Sequence, residues 1–296
     1  MTFINLKNCP VCEGNNSQVI LLGKDYSTSK EEFPISKCSN CGFVFTQNAP
    51  NEENIGRYYN NANYVSHSDT NKGLFFKVYH KVRDYMLKQK SKLVIKETGK
   101  TNGNLLDIGS ATGYFLNKMQ NKGWAVNGIE QDENAIALGK EKFNVEAKSP
   151  EALFNIENNS LDCITLWHVL EHIHQLDKTL VKINQILKPG GVLIVAVPNH
   201  ESFDANYYDK HWAGWDIPIH LWHFSTQSMN SLMDKHGFKV TKTKTMPFDP
   251  FYVSILSEKY KKGFAIKGLL VGFIAMVMGF LSIKKSSSII YVIKKK

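Results

Sequence analysis

The sequence predicts an α/β fold: a parallel sheet covered by helices on both faces, preceded by a small cysteine-rich module. Three observations predict it. Strand-like apolar runs alternate with helical patterns through short connections between residues 103 and 238. The first of these runs, 105–108, breaks into a glycine-spaced turn, Gly109-Ser110-Ala111-Thr112-Gly113, and a helical pattern opens at Tyr114. Near the start of the chain, two Cys-x-x-Cys pairs stand at matched spacing.

Strand, glycine turn and helix together open a nucleotide-binding α/β unit. Gly109 allows a tight backbone turn, and Gly113 allows close approach of a ligand or helix. A second apolar run, 125–129, ends in Glu130, where an acid can grip a ribose diol. The spacing is not that of the dinucleotide fingerprint, which leaves room for a pyrophosphate. Here Asp107 precedes the first glycine, and an acid at that place repels phosphate but suits an ammonium.

Length and composition set the bounds. With 296 residues, the chain suits one medium domain and a small one, or two domains. The net charge of +9 comes mostly from lysines and admits nucleic acid, an anionic membrane or simply a solvated surface. The first residues lack the basic and long apolar regions of a secretory signal, so the expected compartment is the cytoplasm. There, paired cysteines point to metal rather than disulfides.

Cys9, Cys12, Cys38 and Cys41 can surround one tetrahedral zinc ion and leave no open position, as in a structural site. Residues 1–50 therefore read as a zinc-ribbon-like module, with a strand over 18–22. Residues 51–100 read as a linker carrying Tyr58, Tyr59 and Tyr64, then an amphipathic helix over 74–95. Cys163 falls in a later apolar strand and reads as a buried small hydrophobe.

The core follows in order. Asp132 caps a helix, and a short strand is expected over 144–147. The next strand, Leu161–Trp167, has Asp162 at its start and His168-Val169-Leu170-Glu171-His172 at its end. A helix ends at Lys188-Pro189-Gly190-Gly191, and a strand over 192–197 ends at Pro198-Asn199. In such sheets the ligand lies beyond the carboxyl ends of the strands, which here carry Asp107, Glu130, His168 and Pro198.

Taken together, Asp107-Ile-Gly-x-x-x-Gly113, Glu130, His168-Val-Leu-Glu-His172, Leu187-Lys-Pro-Gly-Gly191 and Val197-Pro-Asn199 resemble the class I S-adenosylmethionine methyltransferases. The resemblance covers about 103–238. It implies a Rossmann-like sheet of seven strands over 101–296 and S-adenosylmethionine as cofactor. Asp107, Gly109, Gly113, Glu130 and His168 would surround that cofactor, and Ser149 would lie beside the adenine. Some similar O-methyltransferases bind a divalent ion near the place of Glu171 and His172.

S-adenosylmethionine carries an activated methyl, so the protein mainly aligns a nucleophile and excludes water. A hydroxyl or carbon nucleophile must also lose a proton, which suits histidine. Leu166-Trp167-His168-Val169 lacks the Asn/Asp-Pro-Pro-aromatic signature of base-amine methylation, which favours oxygen or carbon. An aromatic stretch over 203–224 holds the base candidates: His220, oriented by Asp216, with His223 as rival. Its rings could stack on a sugar or ring substrate, or pack on one another.

Residues 268–283 are uncharged and, as a helix, span about 24 Å, short of the roughly 30 Å hydrocarbon core. A strand over 288–292 follows. The run reads as part of a helical insertion over 251–285 before the last strand, docking on the domain or lying at an anionic membrane surface. The expected acceptor is a small molecule or a glycan or lipid precursor. An RNA methyltransferase using the zinc module, and a non-catalytic binding protein, are the competing readings; scattered basic residues weigh against nucleic acid.

Overall fold

The computed structural model describes residues 2–59 and 74–296, with only the backbone of 74–79. The chain starts with β1 (Phe3–Ile4), β2 (Ser17–Lys24), β3 (Glu32–Cys38), β4 (Val44–Thr46) and β5 (Ala49–Pro50). Helices α1 (Gly56–Tyr59) and α2 (Leu74–Thr98) come next. Then follow β6 (Asn104–Ile108), α3 (Tyr114–Gln120), β7 (Ala125–Ile129), α4 (Glu133–Phe143), β8 (Ala147–Lys148), β9 (Leu161–Trp167), α5 (Leu176–Ile186) and β10 (Leu187–Pro198). The remainder comprises α6 (Phe203–Tyr208), β11 (Trp222–His223), α7 (Thr226–Lys235), β12 (Phe238–Thr245), α8 (Asp249–Tyr260), α9 (Ala265–Leu281) and β13 (Ser288–Lys295).

Seven strands form one Rossmann-like sheet in the order β12-β13-β10-β9-β6-β7-β8. β6 runs parallel to β7 and β9, and β7 parallel to β8. Strands buried on both faces need continuous apolar sequence. Accordingly, β9 is buried at six of its seven positions, and β10 is buried throughout 192–197. The helices α8 and α9 fall between β12 and β13, the helical insertion expected before the last strand.

Several bounds differ from expectation, each for a local reason. The third strand begins at Ala147 rather than Asn144, because Asn144 adopts a left-handed conformation and caps α4. Extended backbone resumes at Leu187 rather than Val192: the residue before Pro189 disfavours helix, and Leu187 is itself buried. The end of the module pairs with its start, Ala49 and Pro50 with Ile4 and Phe3, and the linker region contributes structure of its own in α1. Tyr58 is buried there and donates to Glu31. Tyr64 lies outside the described residues.

The chain resolves into two compact units. The first comprises Met1–Ala62, His168–Asp177 and Ala196–Tyr291. It contains a four-stranded sheet in the order β11-β4-β3-β2. Trp222 and His223, from the aromatic stretch, pair with Phe45 and Val44 of the cysteine-bearing segment. Its core gathers Phe33, Ile35, Tyr58, Tyr208, Trp212 and Trp215 among others. The four cysteine sulfurs converge in this unit, Cys9 to Cys41 and Cys12 to Cys38 each at 3.5 Å.

The second unit comprises Asn63–Trp167, Lys178–Val195 and Val292–Lys296. Cys163 is fully buried in its sheet. The carboxylate of Asp162, at the start of β9, is a hub. It accepts from the Asn104 N–H at 2.8 Å, Lys100 Nζ at 2.5 Å and Lys188 Nζ at 3.0 Å. One buried acid thus ties the starts of three neighbouring strands, β6, β9 and β10. Burial works against its charge, but the Asn104 amide and the two lysines win and lower its pKa to about 2.

Asp162→Asn is expected to destabilise the protein by about 2 kcal/mol at pH 7, since it discharges a partly buried ionic hub. The folded pKa lies below the ordinary value of 3.8, so the contribution is complete above that pH and fades as pH falls toward 2. Urea unfolding of both proteins at pH 7 and pH 3 checks this: the gap between them should narrow at the lower pH.

Candidate active site

Within the second unit, the candidate cofactor site is the turn between β6 and α3. Gly109, Ala111 and Gly113 all take left-handed φ, at 73°, 45° and 75°. The turn is tied to the end of β7: Gly109 N–H donates to the Ile129 carbonyl at 2.7 Å, and Ser110 N–H to the same oxygen at 3.1 Å. Ala111 N–H donates to Glu130 Oε2 at 2.8 Å. The other Glu130 oxygen accepts from Gln131 N–H at 2.8 Å and Asp132 N–H at 3.1 Å. A carboxylate offers about four acceptor sites, so roughly one remains for a ligand hydroxyl.

This bonding has a chemical consequence. The N–H groups of Gly109, Ser110, Ala111 and Gly113 are all spent inside the protein. A pyrophosphate cradle needs such groups free. The turn instead presents acid, with Asp107 at its base accepting from the Thr165 hydroxyl at 2.5 Å. Burial pushes the Asp107 pKa up to about 7, against the pull of Thr165 and Lys90. Close packing fixes the turn: a Cβ on Gly113 would stand 2.6 Å from Val145 Cγ2, and one on Gly128 2.6 Å from Ser110 Oγ.

Two buried polar atoms on the carboxyl ends of these strands have no hydrogen-bond partner among the described residues: Ser110 Oγ after β6 and Trp167 Nε1 at the end of β9. Buried polar groups without partners are costly, so these atoms fit a polar ligand on that edge. Ser149 follows β8, is exposed, and has no side-chain cap bond of its own.

A separate cluster of histidines and acids is formed within the first unit. His168 directly follows β9 and adopts a left-handed φ of 58°. Such strain in a side-chain-bearing residue persists only where its surroundings hold it. Its N–H donates to the Ala196 carbonyl at 2.9 Å. Its ring lies 3.1 Å from Asp249 Oδ2 and 3.5 Å from Glu171 Oε1. Burial alone would favour the neutral ring, but Asp249 and Glu171 hold the proton on and raise the pKa to about 10.

Glu171 is almost fully buried, and neither carboxylate oxygen makes a hydrogen bond among the described residues. His172 and His220 face it. Ligand atoms of Glu171, His172 and His220 all fall within 4.8 Å of one another, so the three can hold a proton or a cation. His220 Nδ1 stands 2.9 Å from the Gly214 carbonyl, which can only accept. His220 therefore carries its proton on Nδ1 and a lone pair on Nε2. His172 Nδ1 similarly lies 3.1 Å from the Ile219 carbonyl, with the Tyr59 hydroxyl at 3.2 Å. Burial lowers the His172 pKa to about 4 and also lowers that of His220, where Glu171 pulls the other way.

The expected partner of His220 is displaced. Asp216 Oδ2 approaches Nε2, not Nδ1, and stands 3.9 Å away, beyond hydrogen-bond reach. The Gly214 carbonyl performs the orienting task. His223 is held elsewhere. The Thr46 hydroxyl donates its single proton to the His220 carbonyl at 2.7 Å, so His223 Nε2, at 3.0 Å, must donate to Thr46. His223 packs edge-on against Trp215 and is buried.

Of the two readings of the aromatic stretch, stacking on a substrate or packing within the protein, the three tryptophans follow the second, with each indole N–H paired. Trp212 donates to Asp204, Trp215 to the Asp209 carbonyl, and Trp222 to the Ile173 carbonyl. Sequence reasoning missed Thr165, Gly214, Asp249 and Thr46 as partners in the site. Only Asp249-Pro250 carried a signal, and it signals a helix start rather than a partner for His168.

Comparison with known proteins agrees with this geometry. The family profile described as a methyltransferase domain matches residues 79–243. An uncharacterized methyltransferase of Bacillus cytotoxicus is 28% identical over 169 residues, covering 50% of this chain and 76% of the relative. Among solved structures, geranyl diphosphate C-methyltransferase from Streptomyces coelicolor A3(2), bound to Mg2+, geranyl diphosphate and S-adenosyl-L-homocysteine, superposes with a TM-score of 0.53. That match is 9% identical and covers 79% of this chain and 89% of the other, a likeness of fold. Haemonchus contortus phosphoethanolamine N-methyltransferase 2, solved with S-adenosyl-L-methionine, gives a TM-score of 0.49 at 20% identity over 70% of this chain. The present chain spans about half of that one, 52%. The sheet order, the acid-glycine turn and the matched profile together have one reading: the chain belongs to the class I S-adenosylmethionine-dependent methyltransferase family.

Proposed function

We propose that the protein binds S-adenosylmethionine at the β6–α3 turn and methylates an oxygen or carbon of a small-molecule acceptor, such as a glycan or lipid precursor, in the cytoplasm. When bound, the cofactor supplies a methyl group already activated on a sulfonium. Glu130 would take a ribose hydroxyl with its remaining acceptor site, and the unpaired Ser110 Oγ and Trp167 Nε1 would gain partners. Asp107 and the Gly109–Gly113 turn would suit the ammonium end, since the acid disfavours phosphate and the turn has no row of free amides. Ser149 would lie on the adenine side, and His168, as a charged ring, would stand at the end of β9.

One observation carries the proton-transfer reading: His220 is fixed by the Gly214 carbonyl with its Nε2 lone pair available beside the buried Glu171, whose other neighbour is the charged ring of His168. Nε2 would accept the proton of the acceptor hydroxyl or carbon acid. Glu171 would then stabilise the imidazolium so formed, much as a buried acid does in other base–acid pairs. Asp216 is a neighbour of this pair rather than its orienting group, and His223 serves the packing around it. Cys9, Cys12, Cys38 and Cys41 would hold a zinc ion that does no chemistry. Their sulfurs lie near the separation, about 3.8 Å, that tetrahedral Zn–S bonds of about 2.3 Å require.

Four outcomes are expected. Calorimetric titration with S-adenosylhomocysteine should show binding, weakened about tenfold to a hundredfold by Glu130→Ala, the worth of a hydrogen bond to a charged group. An unchanged affinity would remove Glu130 from the ribose contact. With radiolabelled S-adenosylmethionine and a panel of hydroxylated acceptors, His220→Ala should lower turnover by about a hundredfold or more while leaving S-adenosylhomocysteine affinity intact. At saturating S-adenosylmethionine, the loss of wild-type rate through protonation of His220 should set in only below pH 6.5, because burial lowers the His220 pKa and the base must be neutral to act. Finally, one zinc per chain should be released on treatment with a thiol-modifying reagent, and Cys38→Ser should lower both the zinc content and Tm.

A further inference from the structure

The C-terminal third of the chain carries a surface that methyl transfer does not use. α8 and α9 form a hairpin whose contact is backbone to backbone. A Cβ on Gly268 would come within 2.7 Å of Ile255 Cα, one on Gly272 within 2.8 Å of Phe251 Cα, and one on Gly279 within 3.1 Å of Ser286 Cα. The three glycines of α9 therefore point inward, together with Val271 and Ala275. Its large residues are left on the other side. Phe264 is 81% exposed, Ile266 74%, Leu270 62%, Phe273 55%, Phe280 64% and Leu281 76%. Among the described residues, nothing covers this face.

A row of exposed phenylalanines and leucines of this length is unusual on a protein that works alone in water. The charges around it say what could cover it. From Lys259 to Lys296 there are nine lysines and no acid. Lys259, Lys261, Lys262 and Lys267 stand exposed at one end of α9, and Lys284 and Lys285 at the other. A second copy of this chain placed face to face would bring lysines against lysines. An anionic lipid surface would match both the apolar row and its basic ends. No helix among the described residues is long and apolar enough to cross a membrane. At 17 residues, α9 spans about 25 Å and is packed on α8 through Gly268 and Gly272 and on Ser286 through Gly279, so it would lie in the plane of the interface.

We propose that the outward face of α9, with its lysine-rich ends, docks the protein on the surface of an anionic phospholipid bilayer. The apolar side chains enter the headgroup boundary, and the lysines meet the lipid phosphates. The proposal does not rest on the methyl-transfer reading. It has a bearing on that reading, because α8 also carries Asp249, the partner of His168, and the docking hairpin thereby reaches a residue of the histidine cluster.

The test is co-sedimentation of the full-length, zinc-replete protein with vesicles of phosphatidylcholine alone and of phosphatidylcholine with one-third phosphatidylglycerol. Binding to the anionic vesicles should be at least tenfold stronger and should weaken as salt is raised. Phe273→Asp with Phe280→Asp should abolish it, and Lys284→Glu with Lys285→Glu should weaken it severalfold. These side chains are exposed, so both variants should keep the far-ultraviolet circular dichroism and Tm of the wild type. Absence of binding by a folded wild-type protein, or equal binding to both vesicle types, would overturn the proposal. So would a lipid-free dimer in sedimentation velocity that the Phe273 and Phe280 variant dissociates, which would assign the face to a second copy.

Discussion

The carboxylate of Glu130 is the tie on which the cofactor edge of this protein depends. A turn with three left-handed residues has little stability of its own, and two of the three are glycines because a side chain there is strained. Glu130 takes the N–H of Ala111, the one non-glycine among them, and at the same time closes the corner after β7 through Gln131 and Asp132. The end of β7 adds the Ile129 carbonyl, which receives two more N–H groups of the turn. With those donors spent, the turn can no longer act as a phosphate cradle. The same bonds that stabilise the loop thus select the class of ligand it can meet.

The histidine cluster follows a different rule, that of charge in a dry place. Glu171 is buried without a hydrogen bond, which is tolerable because His168 is held protonated nearby by both Glu171 and Asp249. The other two rings are kept neutral by burial, and backbone carbonyls decide which nitrogen of each keeps its proton. One charged ring and two neutral rings around a single acid give groups of similar chemistry different tasks. His223, although close in sequence, is removed from this company by its bond to Thr46.

The cysteine-bearing segment is not an independent bead at the start of the chain. Its sheet is completed by β11, two residues that belong to the aromatic stretch more than 170 positions later. That pairing places Trp222 and His223 and draws His220 toward Thr46. A zinc ion on the four sulfurs would therefore secure more than its own knuckles. It would steady the strand against which the base-bearing loop is laid.

What the sequence determined by itself was the periodic part and the local part. Strands such as Leu161–Trp167, the Asp132 cap of α4, the acid-glycine turn and the paired cysteines are read from neighbours in the chain, because short-range backbone chemistry dictates them. The helical run before the last strand was legible in the same way, from its unbroken apolar composition. Tertiary structure alone decided which polar groups pair. It gave His220 to the Gly214 carbonyl rather than to Asp216, brought Asp249 to His168, and decided that the tryptophans pack within the protein, where the sequence had left substrate stacking open. It also turned the glycines of α9 inward and its phenylalanines outward. A hydrogen bond is set by distances of a few tenths of an ångström between segments far apart in the chain. No periodicity records those distances, so they are settled only when the segments pack.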